Sequence, residues 1–322
     1  MGGIGSLRSR DDRDLRLEIG DRVTGWGIMV GLVVAVEVAV VAVALSGCAR
    51  PGPGLREVGG EAAGRVYVPL APVASYRWPT RGFGHPPESW AVSHAGLVGD
   101  RPYWFYDWWW DCTRWSGEGQ RYIPAVARAW YPEVLACDDG RPLLVLNEPE
   151  DAAQAGLAPA AAAAVLHEAV LAWDGEVWCC GIQVQHLPYA RLLLAAYRAE
   201  YGDWPATGWH VHVYSQRDGR TKDAMAMADV QEGLRALDAF TLWAAGEGVL
   251  GRGIVVSEYG ALADRPVDMA VMEAFEAEFG MRADVISWAW FSVNYGPWAG
   301  SDLVGDDGRL TELGRAWSGA ER

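Results

Sequence analysis

The chain has 322 residues, 51% of them hydrophobic, with a formal net charge of −15 and a pI near 4.8. That is room for one large domain or two small ones. An acidic surface excludes nucleic acid as a partner, since phosphates need clustered Lys and Arg. Tryptophan is heavily used, 18 against 6 phenylalanines. A flat apolar face with one N–H donor suits stacking on a sugar ring, and it equally suits a core.

Residues 1–23 are polar, with five Arg balanced by five Asp or Glu. Trp26 to Cys48 follows, apolar throughout apart from Glu37 and long enough to cross a bilayer as a helix. It ends in Leu45-Ser46-Gly47-Cys48, which resembles a bacterial lipobox, where the chain is cut before a cysteine that then carries lipid. Cys48 is the candidate attachment residue, and a plain transmembrane anchor is the alternative. Either reading exports the remainder and tethers it to the membrane. Residues 1–48 are thus a membrane-targeting segment, 49–66 a flexible Pro/Gly-rich linker with little to bury, and 67–322 the folded domain.

Four cysteines lie beyond Cys48. Export permits a Cys112–Cys137 pair, but spacing does not decide connectivity. Adjacent Cys179 and Cys180 would point to opposite faces of a strand, and small buried hydrophobes are an equal reading. No Cys/His spacing marks a metal site, and no cofactor is called for.

From about Tyr76, short apolar runs alternate with amphipathic stretches. "RPYWFYDWW" reads as a strand, "YIPAVARAW" follows it, and "PLLVLNEP" is a buried strand ahead of the Ala-rich helix "APAAAAAVLHEAVLAW". Next come strand "EVWCCGIQV" and helix "PYARLLLAAYRAEYG", then strand "TGWHVHVYS" and a long helix ending "AAGEG". Strand "GRGIVVSEYG", helix "VDMAVMEAFEAEFG", strand "ADVISWAWFSV" and helix "LTELGRAWSG" close the chain. An eighth strand, first in order, is expected somewhere in 64–97. Such alternation implies a parallel sheet with helices outside, and eight units in about 250 residues is the size of a (β/α)8 TIM barrel. The competing open sheet would carry a G-x-G-x-x-G turn after its first strand, and none is suitably placed.

In a barrel the carboxyl ends of the strands form the active-site face. Strand four ends in Asn147-Glu148-Pro149, strand seven delivers Glu258, and strand six puts His210, His212 and Tyr214 on one face. One Glu at a strand end is an ordinary solvated residue. Two of them, from opposite sides of one mouth, match the carboxylate pair of a retaining glycosidase, which needs a separation of about 5–5.5 Å and two environments that push the pKa values apart.

"NEP" after strand four and "SEYG" after strand seven resemble the clan A glycoside hydrolases. The resemblance implies Glu148 as acid/base and Glu258 as nucleophile, with Asn147 on the sugar 2-hydroxyl and Tyr214 holding the nucleophile. More narrowly, "LLVLNEPEDAAQAGLAPAAAA", "WFYDWW", "HVHVY" and "WAWFS" are similar to segments of glycoside hydrolase family 128, over roughly residues 100–295. Asp107 departs from the usual Asn, and Gly156 stands where an Asn commonly follows the Gln. The implied substrate is a β-1,3-glucan, cut by a monomer without cofactor or metal. Trp290 is a candidate floor for the sugar, with Trp288 on the same face and core as the alternative. Tyr106 and Trp108 either line the cleft or pack under helices. His212 is expected to bond sugar hydroxyls or the acid/base, and His210 to be structural. Gln154 either reaches the cleft or caps the next helix. Two rival readings remain: a clan A hydrolase of other specificity (β-1,4-glucan, mannan or galactan) and a non-catalytic carbohydrate-binding barrel.

Overall fold

The computed structural model describes residues 55–58, 66–69, 76–84, 97, 102–109, 112–115, 121–214, 227–260, 269–294 and 300–319. Residues 1–48, read from the sequence as a membrane-targeting segment, and Cys48 with them, lie outside the described residues. The chain divides into two compact units, Met1–Ala71 and Pro72–Arg322. β1 (Leu55–Val58) lies within the stretch read as a linker and β2 (Val66–Pro69) begins at its last residue; they form an antiparallel pair, Leu55 opposite Pro69 and Val58 opposite Val66. The β-formers Val66, Tyr67 and Val68 favour β2, while the Pro/Gly content of the linker obscures its partner β1.

The larger unit is the barrel. Its strands are β3 (Arg81–Gly84), β4 (Trp104–Tyr106), β5 (Ala125–Val126), β6 (Leu143–Val145), β7 (Val177–Gln183), β8 (Gly208–Tyr214), β9 (Ile254–Gly260) and β10 (Val285–Trp290). They are parallel throughout, in the order β4-β3-β10-β9-β8-β7-β6-β5. The two ends meet where Phe105 bridges Tyr122 and the Ile123 amide donates to Phe105 O at 2.8 Å. Five helices are described: α1 (Pro159–Ala172), α2 (Leu187–Tyr201), α3 (Met227–Gly246), α4 (Met269–Met281) and α5 (Glu312–Ser318). Short 3-10 turns, Cys112–Trp115 and Pro132–Cys137, stand in the connections before and after β5.

The strand missing from the sequence reading is β3, whose Gly82 and Gly84 hide it. Side chains there would collide with the rings of Trp104 and Tyr106. The barrel interior is therefore aromatic: Trp78, Trp104 and Trp178 pack edge to face, with Ile123, Leu144, Val255 and Ala289 filling between them. Small residues opposite large ones let such an interior close. Much of the tryptophan excess is core.

Alternation on β10 sends Ala289 inward and Trp288 and Trp290 outward. Trp288 packs against Phe279 of α4, and Trp290 meets Tyr259 edge-on at 5.1 Å while its indole N–H donates to Ser301 O at 2.8 Å. Neither reaches the mouth, so the sugar-floor reading of Trp290, and of Trp288 beside it, is corrected to core between sheet and helices. Adjacent Cys179 and Cys180 also depart from strand alternation: a cis peptide joins them and their sulfurs are bonded. Cys137 is disulfide-bonded as well.

Trp290→Ala is expected to destabilise the fold by about 3–5 kcal/mol, measured by chemical denaturation. A variant of unchanged stability that had lost only sugar affinity would return Trp290 to the cleft.

Candidate active site

The turn after β6 is built to aim side chains rather than to continue a strand. Leu146 and Glu148 both have positive φ, 72° and 43°, a region that non-glycine residues enter only under surrounding constraint. The constraint is visible. The Leu146 and Asn147 amides donate to Val126 O and Ala127 O, and the Glu148 amide to Gly181 O at 2.9 Å. Gly181 allows this approach: its φ is 62°, and a Cβ there would sit 2.7 Å from Leu146 O. Gly156, further along, has φ 59°, which explains why Gly can stand where an Asn is common, since both tolerate the left-handed region.

Glu148 arrives from β6 and Glu258 from β9, both nearly buried, at 6% and 5% exposure. With His212 of β8 they bring one ligand atom each to within 4.8 Å of one another. His212 Nδ1 lies 2.8 Å from Glu148 Oε1 and 3.3 Å from Glu258 Oε2. This trio has the donor set and spacing to hold a cation, and within it His212 Nδ1 is hydrogen-bonded to Glu148 Oε1.

Glu258 is gripped on both oxygens. Tyr106 and Trp108 donate to Oε1 at 2.9 and 3.0 Å, and Tyr214 donates to Oε2 at 2.6 Å. Glu148 is held on one oxygen only, where Gln183 Nε2 donates to Oε1 at 2.9 Å beside His212. Its Oε2 makes no hydrogen bond to a described residue.

Burial raises the Glu258 carboxyl, with the Glu148 charge adding to the rise; His212 and the tyrosine donors oppose it without cancelling it. Burial raises Glu148 too, but the His212 and Gln183 bonds outweigh it and hold the group below its usual value. His212 is lowered by burial and raised more strongly by Glu258 and Glu148, for a net rise. Protons therefore lean toward Glu258 and His212. The three lie so close that each proton lost changes the hold on the next.

Most predicted residues meet here. Tyr106, Trp108 and Tyr214 all reach Glu258. His212 touches both Glu and is fully buried. Asn147 Nδ2 donates to Gln154 Oε1 at 3.2 Å, and its Oδ1 has no partner among the described residues. Gln154 is therefore a brace for Asn147 and not a helix cap; Ala158 occupies the N-cap of α1. His210 is bonded to Ser257 Oγ and Val145 O, with burial lowering its pKa to about 3. Asp107 accepts from Trp115 Nε1, Tyr122 OH and the Trp109 amide, which pins the loop that carries Trp108. Two residues escaped the sequence reading. Gln183 ends β7 as a polar residue after an apolar run, the same signal that marked the two Glu. Phe291, just past β10, sets its ring near Tyr214 at 6.4 Å.

No protein-family model matches the sequence, and no curated protein is found as a relative. Solved structures do match. The chain is similar to a subgroup II endo-β-1,3-glucanase of glycoside hydrolase family 128 from Sorangium cellulosum, at 19% identity and TM-score 0.55, covering 76% of this chain and 99% of that one. A subgroup I endo-β-1,3-glucanase from Amycolatopsis mediterranei, solved with laminaritriose, matches at 17% and TM-score 0.56 over 76% and 100%. A subgroup III exo-β-1,3-glucanase from Blastomyces gilchristii matches at 18% and TM-score 0.56 over 74% and 97%. The fold is the (β/α)8 barrel that these enzymes share.

Two outcomes follow. Gly181→Ala is expected to lower stability by about 1–3 kcal/mol, read as the denaturation midpoint. An unchanged midpoint would mean that the turn does not depend on this approach. A carboxyl raised by folding binds its proton more tightly folded than unfolded, so its contribution to stability is lost as pH rises above the ordinary carboxylate range. Glu258→Gln should therefore have a higher Tm than the parent, by a margin that widens as pH rises above the ordinary carboxylate range. A margin that shrinks with pH would reverse the direction given for Glu258.

Proposed function

We propose that the protein is a retaining glycoside hydrolase acting on β-glucan, most specifically an endo-β-1,3-glucanase. The observation that carries the reading is the pair Glu148 and Glu258, brought within 4.8 Å at the carboxyl mouth of the barrel with different partners. That closeness suits double displacement, where one carboxylate attacks the anomeric carbon directly; an inverting enzyme keeps its carboxyls about 6.5–9.5 Å apart to admit a water. The specificity rests on likeness in fold to β-1,3-glucanases and on the NEP and SEYG motifs.

Roles follow from access. Glu258, fixed on both oxygens by three neutral donors, is the nucleophile; those donors orient it and favour the ionised form. Glu148, with Oε2 unengaged, is the acid/base: it gives a proton to the leaving glycosidic oxygen and later takes one from water. Burial and neighbours lean the other way, raising Glu258 and lowering Glu148. The acid/base role needs the proton on Glu148, and His212 Nδ1, 2.8 Å from Glu148 and 3.3 Å from Glu258, is placed to share it between the two. Asn147 Oδ1 accepts from the sugar 2-hydroxyl, a bond that strengthens as the oxocarbenium-like state forms. Tyr106 and Tyr214 act through Glu258, and Trp108 and Phe291 present ring faces to the sugar. The apolar segment Trp26–Cys48 supports export of the catalytic domain and its tethering to the membrane.

Product analysis tests this reading with the purified protein on β-1,3-, mixed β-1,3/1,4- and β-1,4-glucans and mannan, beside Glu258→Gln. Oligosaccharides of several lengths from the β-1,3-glucan, and a loss of at least about 10³-fold in the variant, are expected. Glucose alone would make the action exo. Activity confined to another polysaccharide would keep the two Glu and discard the linkage. Binding without cleavage would leave a carbohydrate-binding barrel.

A further inference from the structure

Beside the pair lies a third carboxylate, half-buried, that double displacement does not use. Glu150 sits on the turn after β6, two residues past Glu148. Its Oε1 accepts from the Gln183 backbone amide at 2.8 Å, and the Gln183 side chain in turn donates to Glu148 Oε1 at 2.9 Å. Gln183 is thus held through its main chain by one acid while it holds the other with its side chain. Glu150 Oε2 is buried without a hydrogen-bond partner among the described residues. A charge there is only half satisfied, and its field passes through protein rather than water.

We propose that Glu150 is a positioning residue: it locks Gln183 against Glu148, and its charge holds protons on the Glu148–His212 pair. The inference rests on the reading of Glu148 as acid/base. The groups that face Glu150 are Glu148 on its own turn, His212 from β8 and Tyr189 from α2, with His186, just ahead of α2, acting on Glu148. Burial pushes the Glu150 carboxyl up to about 7, against the backbone bonds it accepts and the charge of His212, with Glu148 adding to the rise. Its charge therefore appears near neutral pH. Coupling between charges is reciprocal: as Glu148 raises Glu150, ionised Glu150 raises Glu148, and it raises His212 as well. An acid/base that would otherwise lose its proton early is supported where it must keep it.

The test uses the full chain and two variants. Glu150→Gln keeps an acceptor oxygen for the Gln183 amide but removes the charge, whereas Glu150→Ala removes both. His212 is titrated through its ring nitrogens by NMR, a readout that needs no turnover. In Glu150→Gln its titration is expected to move to lower pH by roughly one unit; curves that superimpose on the parent's would overturn the proposal. On β-1,3-glucan, the alkaline limb of kcat/KM should shift the same way in Glu150→Gln with kcat at the optimum largely kept, while Glu150→Ala loses kcat about tenfold or more at every pH. Equal kcat losses in both variants with an unmoved limb would make Glu150 merely structural. A parent protein that cuts no glucan would sink the glycosidase reading, and the His212 titration would still decide on Glu150.

Discussion

Two buried carboxylates held within 4.8 Å of each other are the constraint around which this molecule is arranged. At an effective dielectric of about 20, two full charges at that distance repel by roughly 3–4 kcal/mol. Burial adds a desolvation term to each. Nothing in a barrel fold requires such an arrangement, so the surrounding residues have to make it tolerable. His212 stands between the two, Tyr106, Trp108 and Tyr214 saturate Glu258, and Gln183 supports Glu148. The supporting groups come from β4 and the loop after it, from β7 and from β8, so the site exists only when these strands are assembled in one barrel.

That closure comes from the opposite end of the same interior. Trp78, Trp104 and Trp178 fill the barrel beneath the site, and Trp104 is tied by its indole N–H to Ser287 Oγ at 2.6 Å. Above them, Tyr106 and Trp108 pack at 4.8 Å between ring centroids and turn their polar atoms to Glu258. The aromatic interior thus passes continuously into the aromatic grip on the carboxylate. Rigid packing below gives the donors above a fixed aim, which is what electrostatic preorganisation requires.

The same barrel supports many chemistries, and likeness to β-1,3-glucanases at under a fifth identity establishes architecture rather than substrate. Functional weight therefore falls on the site itself. Its asymmetry is informative: one acid immobilised on both oxygens, its neighbour with one oxygen unengaged. A pure binding barrel would gain nothing from burying two acids so close, whereas a double displacement uses both.

Much of this was legible in the sequence, because strand ends are local. A run of aliphatics that stops at Asn147-Glu148-Pro149, or at Ser257-Glu258-Tyr259, announces a polar side chain delivered to a mouth, and period-2 alternation put His212 and Tyr214 on one face. What escaped was decided by partners distant in the chain. The glycines of β3 look like a loop until Trp104 and Tyr106 fill the space above them. Trp288 and Trp290 share a face, as alternation requires, but which face points inward depends on the register of β10 with β9, which shifts twice along that pair. Gln183 gave the right signal, yet its role depends on Glu148 and Glu150 approaching across the β6–β7 pair. The sequence by itself determined which residues stand at the ends of buried strands, since burial and periodicity are written in neighbours. Only the tertiary structure decided which of them touch, and hence which acid is gripped and which is left with an oxygen unengaged, because those contacts join residues up to 152 positions apart.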